Sequence, residues 1–135
     1  MSELPPLQCD LPIRVRYPES DPMGYLHHSK FFEYFEMGRI ELLRQAGFSY
    51  RDLEEQGCFM AVVKIECRFK SPGRFDDELM LTTRIERMTR ARIDHAYVLR
   101  RGNVELCEAR STIACVDGQG KLQPIPEEIF IEIGD

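Results

Sequence analysis

The sequence predicts an α+β fold in which a curved antiparallel sheet wraps around one long helix. Three observations carry this. Residues from Lys30 to about Ala46 place apolar side chains at helical spacing, several later segments alternate apolar and polar residues with a period of two, and turn formers separate those segments. A helix with a wide apolar arc needs a broad cover, and successive strands supply one. At 135 residues the chain can bury one core, since a domain of this size removes roughly 68% of its unfolded surface from water. No repeat or linker divides it, so residues 1–135 read as a single domain.

In chain order, Leu11 to Tyr17 alternates Ile13, Val15 and Tyr17 with Arg14 and Arg16, the pattern of a short strand that Pro18 ends. Pro18 to Gly24 is dense in turn formers, with Gly24 free to take a positive φ, so a structured loop is expected up to His28. Ser29 is positioned to cap the helix. Within the helix Phe31, Phe35, Gly38, Leu42 and Ala46 share one arc, Phe32, Tyr34 and Leu43 widen it, and Glu33, Glu36 and Arg44 face away. Glu36 and Arg39, three residues apart, are expected to form an ion pair, with Arg39 tying the helix to the sheet or to a partner. Gly47 follows as a C-terminal left-handed residue.

Val63, Ile65, Cys67 and Phe69 mark the next strand, which Ser71-Pro72-Gly73 breaks. Leu79, Leu81, Thr83 and Ile85 mark another, and Ile93, His95, Tyr97 and Leu99 a third. Arg101-Gly102-Asn103 turns the chain into a last strand from about Val104 to Val116, closing at Asp117 to Gly120. Pro124 and Pro126 make the tail extended. These four strands are expected to form an antiparallel series. Free sheet edges favour pairing with a second copy, so a dimer or higher assembly is expected.

Twenty-three acidic against 18 basic residues give a net charge of −5, which disfavours binding to nucleic acid through its phosphates. No apolar run approaches the ~20 residues of a membrane span. Met1 to Leu11 has neither a basic nor an apolar leader pattern, so a cytoplasmic location is expected. Five scattered cysteines without a C-x-x-C pair read as reduced, mostly core-facing thiols.

Tyr17, Glu19, Asp21, His27 and His28 fall within twelve residues, directly before the helix. An aspartate here is commonly a turn former. The company suggests a second role, because a helix N-terminus offers unpaired N–H groups that can polarise a carbonyl, and a nearby carboxylate can act as base or nucleophile. The amides near His28 and Ser29 are the candidate donors. Neither metal nor organic cofactor is required, and the His27-His28 pair lacks the further ligands of a metal site.

The stretch Tyr17-Pro-Glu-Ser-Asp21-Pro-Met-Gly24-Tyr-Leu-His-His28-Ser-Lys-Phe-Phe-Glu-Tyr-Phe-Glu36-Met-Gly-Arg39 resembles the signature of the 4-hydroxybenzoyl-CoA thioesterase-like family, closest to its Tol-Pal-associated branch. Arg68-Phe-Lys-Ser-Pro-Gly-Arg-Phe-Asp-Asp-Glu-Leu79 is similar to the family's break between strands. The resemblance implies a hot-dog fold, a homodimer or homotetramer with sites at the subunit boundary, and hydrolysis of acyl- or aroyl-CoA, or of acyl-carrier-protein thioesters. It implies Asp21 as nucleophile or general base and the His28 N–H as the carbonyl's donor, with the His28 side chain and Tyr17 orienting the aspartate or the substrate. Gly24 and Tyr25 join them as substrate-binding residues of the same loop. Pro22-Met23 departs from the branch's smaller residues and bears on the acyl pocket.

Arg84, Arg87, Arg90, Arg92, Arg100 and Arg101 stand against only Glu86 and Asp94 in this part of the chain. CoA phosphates suit such a patch, and Arg87, Arg90 and Arg92 surround a turn. A solvated surface cluster is the simpler account of any single arginine among them. Two other readings fit the same pattern: an enoyl-thioester hydratase or dehydratase using Asp21 and His28, and a non-catalytic acyl-thioester-binding protein.

Overall fold

The computed structural model describes residues 7–129. In chain order they form β1 (Gln8–Arg14), a 3-10 turn (Tyr17–Glu19), α1 (His28–Gln45), α2 (Tyr50–Glu55), β2 (Phe59–Phe69), β3 (Glu78–Met88), β4 (Ile93–Arg101), β5 (Val104–Val116) and β6 (Leu122–Gln123). The alternation in β3 and β4 works as expected: Leu79, Leu81, Thr83 and Ile85, then Ile93, His95, Tyr97 and Leu99, are all buried. They form the inner face of an antiparallel sheet.

α1 lies along that face, packed chiefly on β1 and β3. It buries Phe31, Tyr34, Phe35, Gly38, Arg39, Leu42 and Leu43, which is the expected arc with Arg39 added and with Phe32 and the capping residue Ala46 only half-buried. Gly47, with φ +95°, ends it. One core cluster gathers Phe31 and Phe35 with Leu81, Tyr97, Leu99 and Leu106. A second gathers Leu42 and Leu43 with Leu53, Ile85, Ile113 and Ile125. Each fully buried side chain of this kind stabilises the fold by about 1.5–3 kcal/mol.

The order across the sheet corrects the simple series. It runs β1-β3-β4-β5-β2, with β6 added to the end of β5. β3, β4 and β5 do follow one another as hairpins, but β2 pairs with β5 at the far edge, not with β3. Ser71-Pro72-Gly73 therefore carries the chain from one side of the sheet to the other. Gly73 is buried there, and a Cβ on it would stand 3.0 Å from Leu106 Cδ2.

Four further corrections are local. β1 ends at Arg14, so Tyr17 stands in a turn and not in the strand. β2 begins at Phe59 and carries a bulge between Val62 and Lys64, which leaves Val63 63% exposed at the sheet edge. The helix α2, capped by Ser49, was not apparent as a separate element. The tail is extended only briefly, through β6, and turns helical at Glu127 after Pro126. All five cysteines are free, and only Cys67 is not fully buried.

Candidate active site

Asp21 opens a tight turn. Gly24 N–H donates to the Asp21 carbonyl at 2.9 Å, and Gly24 takes φ +84°, the left-handed conformation its lack of a side chain permits. Asp21 N–H donates to the Tyr25 carbonyl at 2.7 Å, and Ser20 bridges Leu26, which makes the segment a miniature hairpin. Asp21 Oδ1 accepts the N–H groups of Met23 at 2.8 Å and Tyr25 at 3.0 Å. The aspartate is thus a turn former through one oxygen. Its Oδ2 has no hydrogen-bond partner among the described residues.

Two supports hold the turn. Leu26 N–H donates to the Gly73 carbonyl at 2.8 Å, and Tyr25 bridges Arg74, whose guanidinium lies 4.9 Å over the Tyr25 ring. On the other side Glu19 is buried, and its carbonyl accepts His27 N–H at 2.9 Å. Glu19 Oε1 accepts from Arg16 N–H at 2.8 Å and from the Tyr34 hydroxyl at 2.7 Å, while Oε2 faces the Arg16 guanidinium at 3.1 Å. Burial pushes the Glu19 carboxyl up, but the hydrogen bonds from the Arg16 amide, the Tyr34 hydroxyl and the Arg16 side chain outweigh it, so its pKa lies below the ordinary value. Burial and the adjacent Glu19 raise that of Tyr34.

The helix start differs from expectation. His27, not Ser29, is the cap: its Nδ1 accepts Ser29 N–H at 3.2 Å and meets Ser29 Oγ at 2.8 Å. The Ser29 amide is therefore occupied. The His28 N–H takes no partner among the described residues and is left for a ligand. The His28 ring stacks on His27 with centroids 4.2 Å apart.

The structure brings Asp21, Gly24 and Tyr25 into one turn and sets His28 at the helix end it leads into. No hydrogen bond joins Asp21 to the side chain of His28 or Tyr17 among the described residues. Tyr17 is 76% exposed, with its ring edge-on to Phe75 at 5.3 Å. Arg87, Arg90 and Arg92 are not brought to the site. They lie at the opposite end of β3 from Glu78, about 30 Å along the strand at ~3.3 Å per residue, and Arg92 faces Asp94 at 3.8 Å. The expected Glu36–Arg39 pair is likewise replaced: Arg39 turns inward and donates to the Tyr97 hydroxyl at 3.0 Å.

Sequence reasoning noted Glu19 without a role and passed over Arg74. Arg74 acts through Tyr25, distant in sequence; Glu19 acts through Tyr34, also distant, and through Arg16, whose spacing of three residues is the one local signal. A cleft of about 640 Å³ lined by Arg68, Arg84, Val98, Glu108 and Arg110 lies on the sheet, away from this loop.

The sequence profile of the thioesterase-like superfamily matches residues 15–131. The chain is 32% identical to acyl-CoA thioesterase YbgC of Haemophilus influenzae over 121 residues, 87% of this chain and 88% of that protein. It is 30% identical to a putative esterase of Aquifex aeolicus, over 90% of this chain and 94% of that one. Among solved structures, a probable thioesterase from Bartonella henselae superposes with TM-score 0.84 at 32% identity, covering 88% of this chain and 99% of that one.

Proposed function

This chain belongs to the thioesterase-like superfamily and is a thioester hydrolase, and on that premise we propose that it hydrolyses acyl- or aroyl-CoA thioesters with Asp21 and the His28 amide as its working pair. One observation supports this most directly. An aspartate held by two amides through Oδ1 keeps Oδ2 free, beside a helix whose His28 N–H is also free. The thioester oxygen sits against the His28 N–H, which stabilises the negative charge developing there; one such donor is worth about 3 kcal/mol of barrier. Asp21 Oδ2 either attacks the carbonyl carbon or takes a proton from the attacking water. The C–S bond breaks and CoA leaves, taking up a proton as its thiol; by the first route the acyl group stays on Asp21 as a mixed anhydride that water then hydrolyses, by the second the water oxygen is already on the acyl carbon, and either way the free acid is released.

Tyr17, edge-on to Phe75, and Met23 are exposed and offer apolar surface to an acyl group. We read α1 as the central helix of the hot-dog fold, and the Tyr17–Arg39 stretch supports a place in the Tol-Pal-associated branch. The edge strand β2 supports pairing with a second copy: it is 11 residues long and free of proline, with Val62, Val63 and Phe69 exposed. β1, at the other edge, carries Pro12. Given their distance within one chain, Arg87, Arg90 and Arg92 would reach CoA phosphates only from the partner copy.

The test is thiol release from a panel of aroyl-, short-chain and long-chain acyl-CoAs and an acyl-carrier-protein thioester, run beside folded Asp21→Asn. The expected outcome is turnover of at least one thioester and a loss of roughly 100-fold or more in the variant. An unchanged rate in Asp21→Asn removes Asp21 from the chemistry. A chain inert on every thioester favours the acyl-binding reading.

A further inference from the structure

Arg39 is 95% shielded from solvent, being only 5% exposed, yet it has no carboxylate partner among the described residues. Its Nη1 donates to the Tyr97 hydroxyl, which shares a hydrogen bond with Ser111 Oγ at 2.5 Å. Arg39 Nε finds no hydrogen-bond partner, and neither does Nδ1 of His95, itself only 5% exposed. Both residues line one cavity of about 10 Å³, with Tyr50 completing its polar side and Leu43, Ile93 and Ile113 on its apolar side.

The acids that could neutralise Arg39 are all engaged or turned away. On α1, Glu33 pairs with Lys30, Glu41 pairs with Arg44, and Glu36 is exposed. On the sheet, Asp94 accepts from Thr112 Oγ1 at 2.8 Å and Glu86 faces Arg110 at 3.2 Å. The groups that β2, β3, β4, β5 and α2 turn towards Arg39 are neutral: Met60, Ile85, His95, Tyr97, Ser111 and Tyr50. Burial, and secondarily the charge of Arg39, push the His95 pKa down to about 3, so the ring adds no second charge and keeps one N–H to donate. A buried guanidinium requires a counter-charge, and a water molecule supplies none.

We infer that this cavity is a binding site for one chloride-sized monovalent anion, held by Arg39 Nε–H and the His95 ring, which locks α1 and α2 onto the sheet. The cavity is small, which favours a monatomic guest over phosphate, sulfate or an acyl chain. Arg39 follows His28 by eleven residues, about 16 Å along the helix, so this site is separate from the thioester chemistry.

Two measurements test it. In crystals grown with bromide, an anomalous peak is expected within ~3.5 Å of Arg39 Nε. In thermal denaturation at constant ionic strength, replacing gluconate by chloride is expected to raise Tm by roughly 5 °C for each tenfold rise in chloride beyond its Kd, and Arg39→Met is expected to abolish the dependence. A cavity that shows only water, or a partner's carboxylate seated there, overturns the inference, as does a Tm indifferent to chloride. Should Arg39→Met not fold, the bromide peak in the parent protein decides.

Discussion

The loop's geometry rests on single side chains, and Glu19 carries the most. It joins the turn before Asp21 to Tyr34 on α1, fifteen residues on. Replacing it by glutamine removes the charge behind the four hydrogen bonds its carboxylate accepts, and a buried bond to a charged group contributes about 1.5–3 kcal/mol. Glu19→Gln is therefore expected to lower stability by roughly 2 kcal/mol at pH 7, read by thermal denaturation. The sign with pH follows from its depressed pKa. Its contribution is complete above the ordinary value of 4.5 and is lost as pH falls through the lower, folded value. The gap between parent and variant should thus narrow as pH falls below 4.5 and close below the folded value; a gap that does not narrow with falling pH would show the charge to be irrelevant. At this scale the sequence disclosed the turn, because Asp21, Pro22 and Gly24 act on their own neighbours. It did not disclose the anchor or the cap, because Glu19 works through Tyr34 and because the His27 ring takes the Ser29 amide that Ser29 itself was expected to organise.

Among elements, α1 and β3 meet at Gly38. A Cβ there would lie 2.2 Å from Thr83 Oγ1 and 2.8 Å from Leu81 Cδ2, so the helix can approach the sheet only with glycine at that position. Helix propensity alone favours alanine by about 1 kcal/mol, whereas overpacking costs about 1–3 kcal/mol. The clash should win: Gly38→Ala is expected to lower stability, and Thr83→Ala in the same chain to recover part of the loss because it removes the nearest atom. Denaturant midpoints of the two variants and the parent check this, and a stabilised Gly38→Ala would refute it. Amphipathic spacing placed Gly38 on the buried arc but could not say how close the sheet came. The same limit explains the sheet order. Alternation reports which face of a strand is buried, and short turns report hairpins, so β3, β4 and β5 were legible. Nothing local reports that β2, followed by an eight-residue connection, pairs with β5 across the molecule.

For the whole molecule, the central fact is a neutral histidine enclosed beside a buried cation. The alternation of β4 told that His95 faces inward, and the place of Arg39 near the apolar arc allowed the tie to the sheet that it makes at Tyr97; that it meets His95 was hidden, because no local pattern pairs a helix residue with a strand residue so far along the chain. Their meeting has a consequence for acid stability. The folded His95 pKa, about 3, lies below its ordinary 6.5. Below 6.5 the unfolded chain takes up a proton that the folded chain refuses, so stability falls as pH drops towards the folded value, by at most ~1.4 kcal/mol per pH unit. Glu19 loses its contribution only below 4.5, so the interval from 6.5 to 4.5 isolates His95 from it. In gluconate without chloride, so that no bound anion offsets the charge of Arg39, denaturant midpoints of the parent are expected to decline across that interval, and those of His95→Gln to start lower and stay nearly level. A parent whose midpoint does not change from pH 6.5 to 4.5 would mean that the folded protein protonates His95 as readily as the unfolded chain does. The core around Arg39 would then be open to water and not the enclosed site that its packing describes.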